Sequence, residues 1–323
     1  MHYAVAFGDE SDIKQLLHSR SADIDESDGV STPLLVAIER GRSSVVELLL
    51  KSGADVDRPA NQNGETPLSL ACDALGLLNG AGLEARKPIV RHLLSYGANV
   101  RASDASSPLF TILKTARQCL RDEDYLVSLL LENGVEVNPI DESGQTPLHL
   151  ASREFLAFIV EALLGSGANV GAVNKTRSTP LHLVCGGGRL GYRRSLEDQL
   201  LIIGHLLDYG ADINAIDEDG NTPVHLLVAK SGHPSCIALL LKRGATTRLS
   251  NLSGQTPLEI AHNEQRHRSI VALLIAKDYT ERLGEGTEVS SASSGFRVSN
   301  IKSGEFFISY DRTTNDQSID STD

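Results

Sequence analysis

One octapeptide constrains this chain more than any other feature: Gly144-Gln145-Thr146-Pro147-Leu148-His149-Leu150-Ala151. Copies run from end to end: Thr32-Pro33-Leu34, Thr66-Pro67-Leu68, Ser107-Pro108-Leu109, Thr179-Pro180-Leu181-His182, Thr222-Pro223-Val224-His225 and Thr256-Pro257-Leu258. Successive copies lie 34, 41, 39, 33, 43 and 34 residues apart, which reads as a unit of about 33 with inserts in the longer ones. A second string follows each copy, as in Gly53-Ala54-Asp55-Val56, Gly97-Ala98-Asn99-Val100, Gly167-Ala168-Asn169-Val170 and Gly210-Ala211-Asp212-Ile213. A fixed period with two internal landmarks means stacked repeats, each too small to bury its apolar face without its neighbours.

Each landmark has a local physical reading. Thr146 caps a helix through its hydroxyl. Pro147 then occupies the first helical position, where its missing N–H costs nothing. Leu148, Leu150 and Ala151 give a narrow face that a neighbouring helix can approach closely. Ile159, Val160, Leu163 and Leu164 form the wider apolar stripe of a second helix, and Gly167 ends that helix in the left-handed region.

These residues resemble the ankyrin repeat, a β-turn plus two helices with a Thr-Pro-Leu-His signature. The resemblance covers residues 1–281 and implies an all-α repeat solenoid of stacked helix-turn-helix units with β-hairpin-like turns. The units fall at about 1–25, 26–58, 59–100, 101–138, 139–170, 171–214, 215–247 and 248–281. Repeats three, four and six carry inserts near Leu77–Lys87, Arg117–Asp124 and Gly186–Arg194; Pro88 is expected to restart a helix at Ile89. The chain enters the pattern in mid-octapeptide at Met1-His2-Tyr3-Ala4. This suits either a trimmed cap or a piece of a longer protein.

Residues 282–323 differ. From Leu283 on, three basic and seven acidic residues beside Ser290-Ser291-Ala292-Ser293-Ser294 argue for an acidic, Ser-rich, disordered tail. Phe296, Val298, Ile301 and Phe306-Phe307-Ile308 interrupt that composition, which leaves a short hairpin or a docking peptide open.

Charge and chemistry narrow the function. A net charge of −12 disfavours nucleic acid, whose phosphates call for clustered Lys and Arg. No apolar run is long enough to span a membrane, and no signal peptide precedes the repeats. Cys72, Cys119, Cys185 and Cys236 are far apart in sequence and match no metal or redox spacing, which fits buried thiols in a reducing compartment, the cytoplasm or the nucleus. His149, His182 and His225 stand one repeat apart, about 10 Å along packed layers and too far to share a metal; the resemblance makes them turn braces. Gly186-Gly187-Gly188-Arg189 lacks the Lys-Ser/Thr ending of a phosphate cradle. No catalytic residues, cofactor, metal or small-molecule substrate are expected.

The candidate sites are therefore contact positions for another protein or a peptide. By the resemblance they are the hairpin tips, Asp141, Glu142, Lys175, Arg177, Asp217, Glu218, Asp219 and Arg248, with the inner-helix positions Glu39, Arg40, Arg153, Glu154 and Lys230. Arg189, Arg193 and Arg194 form the most basic spot of the chain. Phe155 stands where a helix-ending Gly is expected, and Leu156 and Phe158 follow it; either neighbouring inserts bury the phenylalanines or they form an exposed apolar patch. Asn138 and Asn214 end strings like those that asparaginyl hydroxylases modify in ankyrin-like proteins, Asn214 matching better. The expected function is a non-catalytic scaffold or adaptor, with the tail as a second docking or phosphorylation element. A ligase-recruiting box is not evident in that tail. The alternative is a fragment or isoform of a larger ankyrin-containing enzyme or channel.

Overall fold

A computed structural model describes residues 1–19, 23–29, 31–59, 66–73, 82–101, 107–115, 123–187, 195–263, 268–283, 289–291, 296–301 and 305–310. The helices come in pairs. They are α1 (His2–Phe7) with α2 (Glu10–His18), α3 (Pro33–Glu39) with α4 (Ser43–Lys51), α5 (Pro67–Cys72) with α6 (Gly82–Ser95), and α7 (Pro108–Thr115) with α8 (Glu123–Glu132). Next come α9 (Pro147–Arg153) with α10 (Ala157–Gly165), α11 (Pro180–Gly186) with α12 (Leu196–Asp208), α13 (Pro223–Ala229) with α14 (Pro234–Lys242), and α15 (Pro257–Asn263) with α16 (Arg268–Leu283). Seven of the first helices begin with the proline of the octapeptide, where a fixed φ suits the first turn.

The chain divides into two compact units, residues 1–151 with 158–169, and 152–157 with 170–323. In the first unit α1, α3, α5 and α7 stack in sequence, and α4, α6 and α8 form the parallel row behind them. In the second, α11, α13 and α15 stack in front of α12, α14 and α16. Between the rows lie fully buried pairs from the second helices, such as Val45 and Val46, Ile89 and Val90, Ile202 and Ile203. They face the narrow Leu/Ala side of the first helices. Cys72, Cys185 and Cys236 are buried in this layer, and burial pushes their thiols up, that of Cys72 to about 12; Cys119 lies outside the described residues.

Three residues before four of the buried pairs stands a polar side chain whose role has no signal in the sequence. In repeat two this position is Arg42, whose guanidinium donates to the carbonyls of Val5 and Gly8 at 2.7 Å each, closing the end of α1. In repeat three it is Arg86, wholly buried and donating to the carbonyls of Ala71 and Cys72 at the end of α5. In repeat four it is Glu123, buried with its Oε1 3.6 Å from Arg86 Nη1. In repeat six Gln199 donates to Val184 O at 2.9 Å and accepts from the Cys236 thiol. Repeats three and six thus fasten the re-entry of the chain after an insert to orphan carbonyls of the preceding helix, as repeat two does without an insert, whereas Glu123 in repeat four pairs with Arg86 instead. This anchoring corrects one expectation. α6 does not restart at Pro88; it begins at Gly82 and runs through the proline, giving up one helical bond on the same turn that Arg86 ties down.

After α16 the described residues include the apolar stretch whose pattern left a hairpin open. This segment carries three antiparallel strands, β1 (Val289–Ser291), β2 (Phe296–Ile301) and β3 (Glu305–Tyr310), with Val289 opposite Val298, and Val298 opposite Ile308. Composition averaged over 282–323 conceals a short stretch of alternating apolar residues, the pattern a strand needs.

A side-chain column joins the turns. In four of the Gly-Ala-Asp-Val-Asn-like strings the last residue accepts the backbone N–H of the third residue of the next string. Asp25 takes Asp55 N, Asp57 takes Asn99 N at 2.8 Å, Asn138 takes Asn169 N at 2.8 Å and Asn214 takes Thr246 N at 3.0 Å. Gly171 occupies the same place in repeat five and has no side chain to offer Asp212 N. Asn214→Ala should therefore destabilise the protein by about 1 kcal/mol in urea unfolding, whereas Gly171→Asn should stabilise it by about 0.5–1 kcal/mol.

Candidate protein-interaction surface

The hairpin tips are built from one device. Asp141 Oδ1 accepts the N–H groups of Ser143 and Gln145, both at 2.8 Å. Asn174 does the same for Thr176 and Ser178, Asp217 for Asp219 and Asn221, and Asn251 for Ser253 and Gln255. Such Asx residues close a turn onto their own backbone. Asp141 and Asp217 are thereby turned inward, and Asp217 is 8% exposed. Glu142, Lys175, Glu218, Asp219 and Arg248 are exposed.

Arg177 is exposed at a backbone φ of +55°, the place where Gly144, Gly220 and Gly254 stand with φ of +72° to +74°. A side chain there holds a conformation that costs about 1–2 kcal/mol. In the second unit the tips are laced together, because Thr176 O accepts Glu218 N at 3.0 Å and Asp219 O accepts Leu252 N at 2.8 Å.

The histidine of the octapeptide fixes each tip to the helix that follows it. His182 Nδ1 accepts from the amide of Thr179 at 3.2 Å and meets its hydroxyl at 2.8 Å. His225 does the same with Thr222, and His149 with Thr146. With Nδ1 accepting, the proton sits on Nε2. It is donated across the repeat boundary, from His182 to Asn221 O at 3.0 Å and from His225 to Gln255 O at 3.1 Å. In the last repeat Glu259 replaces the histidine and takes the amide and hydroxyl of Thr256, bonds that hold its carboxyl below the usual range. Among the described residues no group of three or more His, Cys, Asp or Glu is placed to hold a metal ion.

The inner-helix candidates are unequal. Lys230 is exposed; Glu39 and Arg40 are half-buried, and the Arg40 guanidinium lies 4.9 Å over the Phe7 ring. Arg153 Nε donates to Glu154 at 3.1 Å, and the Glu154 side chain is 6% exposed. The two phenylalanines part company. Phe155 is 4% exposed and takes φ +60°, the conformation Gly41 adopts at the matching place with φ +65°. Its ring lies against Gly187 at the start of the repeat-six insert, where an added Cβ would come within 3.5 Å of Phe155 Cε2 and 2.7 Å of Leu183 O. Phe158 is 58% exposed. Arg189, Arg193 and Arg194 lie outside the described residues.

Asn138 and Asn214 sit in the inter-repeat column, and Asn138 also donates to Gly167 O at 3.2 Å. The role of these amides in bridging repeats has no signal in a single copy of the string; it shows only when successive copies are laid side by side.

Burial lowers the basicity of both His182 and His225 from the ordinary value of 6.5. Their contribution to stability is therefore whole above that value and is lost as pH falls through it, because the unfolded chain then binds protons that the folded imidazoles refuse. The urea midpoint should be lower at about pH 5.5 than at about pH 7.5, and the difference should shrink in a His182→Gln/His225→Gln variant.

Comparison with known proteins agrees with this geometry. Three copies of the family profile for ankyrin repeats match residues 1–104, 77–172 and 194–282. A putative ankyrin repeat protein of fowlpox virus is 33% identical over 44% of this chain and 19% of its own length. Human ankyrin repeat and SOCS box protein 6 is 30% identical over 41% of this chain and 30% of its own length. Human ankyrin repeat and SOCS box protein 16 is 32% identical over 38% and 24%. The matches thus span a third or less of these relatives. With its paired helices, Asx-closed tips and Thr-Pro-x-His brackets, the chain belongs to the ankyrin repeat family.

Proposed function

We propose that this protein is a non-catalytic scaffold or adaptor that binds another protein or a peptide through its hairpin tips and the adjacent first-helix surface. Ankyrin repeats are generally protein-interaction modules, and the reading rests on one observation. In the second unit the tips are joined backbone to backbone at Thr176–Glu218 and Asp219–Leu252. Lys175, Arg177, Glu218, Asp219 and Arg248 are therefore presented at fixed spacing, alternating in charge along the row. A surface held this way loses little conformational entropy on binding. The left-handed backbone at Arg177 supports the same reading, because a residue kept where glycine is easier is a mark of function over stability. A reducing compartment, the cytoplasm or the nucleus, suits the buried free thiols.

The second reading is that the chain is a piece of a larger ankyrin protein whose effector lies elsewhere. It is favoured by the small share of each relative that is matched, and an in-frame continuation in the transcript would support it.

The test is affinity capture with wild type, Lys175→Glu/Arg248→Glu, Arg177→Gly, and a chain ending at Glu281. A partner held by the tips is lost with the double reversal and weakened by Arg177→Gly. That same glycine variant should unfold at a higher temperature, by about 1 kcal/mol of relieved strain. Capture unchanged by both variants but lost on truncation would move the site to the tail and overturn the tip reading.

A further inference from the structure

Across the α6–α8 contact, away from the tips, lies a cluster that the interaction surface does not use. Tyr125, in the first turn of α8, is 37% exposed. Arg91 on α6 reaches it, with Nη2 2.6 Å from the phenol oxygen. Lys87, one turn earlier on α6, places Nζ 5.6 Å from the ring centroid, and the Arg91 guanidinium carbon lies 5.9 Å from the same point. In a chain of net charge −12, two cations converge on one phenol.

We propose that Tyr125 is a phosphorylation site whose phosphate is held within the same chain by Arg91 and Lys87. The phenol oxygen already accepts from Arg91, so a phosphate built on that atom starts beside a guanidinium able to grip two of its oxygens. Lys87 supplies a second, more flexible charge. The first turn of a ten-residue helix adds a favourable dipole for an anion.

Three acids precede Tyr125 in the sequence: Glu123 is paired with Arg86, Asp124 is the acidic neighbour on the same turn of α8, and Asp122 lies outside the described residues. In the reaction a tyrosine kinase transfers the γ-phosphoryl group of ATP to Tyr125 Oη. The P–O bond to ADP breaks, ADP leaves, and the phenolic proton passes to the kinase's base. The product carries about two negative charges at neutral pH and draws α8 onto α6. Those are the second helices of repeats three and four, next to the two inserts. Phosphorylation would thus stiffen the helix-loop edge of the first unit, opposite in role to the disruption expected of a phosphate set among carboxylates.

The test uses the full chain with phosphotyrosine installed at position 125 by codon suppression, beside the same protein carrying Arg91→Gln/Lys87→Gln, with folding checked by circular dichroism. By phosphorus NMR, the phosphate should titrate about one unit lower in the folded chain than in urea. The double substitution should restore the urea value. The thermal midpoint should rise by about 2–4 °C on phosphorylation and fail to rise in the double variant. A titration indifferent to Arg91 and Lys87 would overturn the proposal. In a second arm the unmodified chain is treated with a purified tyrosine kinase that phosphorylates a peptide of residues 119–131. Fragment mass spectra should locate the phosphate at Tyr125 and lose it in Tyr125→Phe. A folded chain that takes phosphate at Tyr96 or Tyr209, or nowhere, would overturn the site.

Discussion

In the second unit the repeats are joined by a two-ended hydrogen bond from a neutral imidazole. One ring nitrogen of His182 closes its own helix start on Thr179, and the other reaches Asn221 of the following hairpin. His225 repeats the arrangement toward Gln255. The Nδ1 end satisfies the buried amide of Thr179 or Thr222, and the Nε2 end adds a second donor to a carbonyl that already accepts Asp217 N or Asn251 N within its own hairpin; each bond is worth about 1 kcal/mol. Proline at the next position makes the helix start rigid at the point where the histidine grips it. A local capping problem and the joining of neighbouring repeats are solved by the same side chain, so the period of the sequence and the period of the stack are one quantity.

Inserts test such a design, because they lengthen the path between the two helices of a repeat. This chain meets the problem at a single place. Arg42, Arg86, Glu123 and Gln199 all stand three residues before a buried aliphatic pair, and Arg42, Arg86 and Gln199 donate to carbonyls at the end of a first helix. Arg86 and Glu123 pair with each other in the buried layer, linking the ends of two consecutive inserts. A buried ion pair is a poor source of net stability but a strong device for register. Here it fixes where α6 and α8 meet and so brings Lys87 and Arg91 to Tyr125.

The sequence carried most of the fold and little of the surface. The repeats were legible because Thr-Pro or Ser-Pro at a helix start is a local capping problem with a local solution, visible in each copy without reference to the others. Arg86 was illegible for the opposite reason: a charged residue in an insert reads as solvated, and its burial follows only from what α5 and α8 present to it. Asp217 looked like a tip charge because three acids stand together, yet its carboxylate closes the turn and leaves Glu218 and Asp219 outside. Phe155 and Phe158 looked equivalent; a left-handed backbone turns the first inward against Gly187 and leaves the second in solvent. The strands after α16 showed only as the local pattern from Phe296 to Ile308, since their alternation lasts a few residues among serines and acids.

The central claim is that the histidine bracket couples neighbouring repeats and does more than cap its own helix. Residue-resolved hydrogen exchange of wild type and His182→Ala measures this directly. The account predicts faster exchange both at the Thr179 turn and in the next hairpin around Asp217–Asn221, where the Asn221 carbonyl keeps the Asp217 amide and loses the imidazole that ties the hairpin to the preceding repeat. Acceleration confined to the turn at Thr179, with the Asp217–Asn221 hairpin as protected as in wild type, would contradict it.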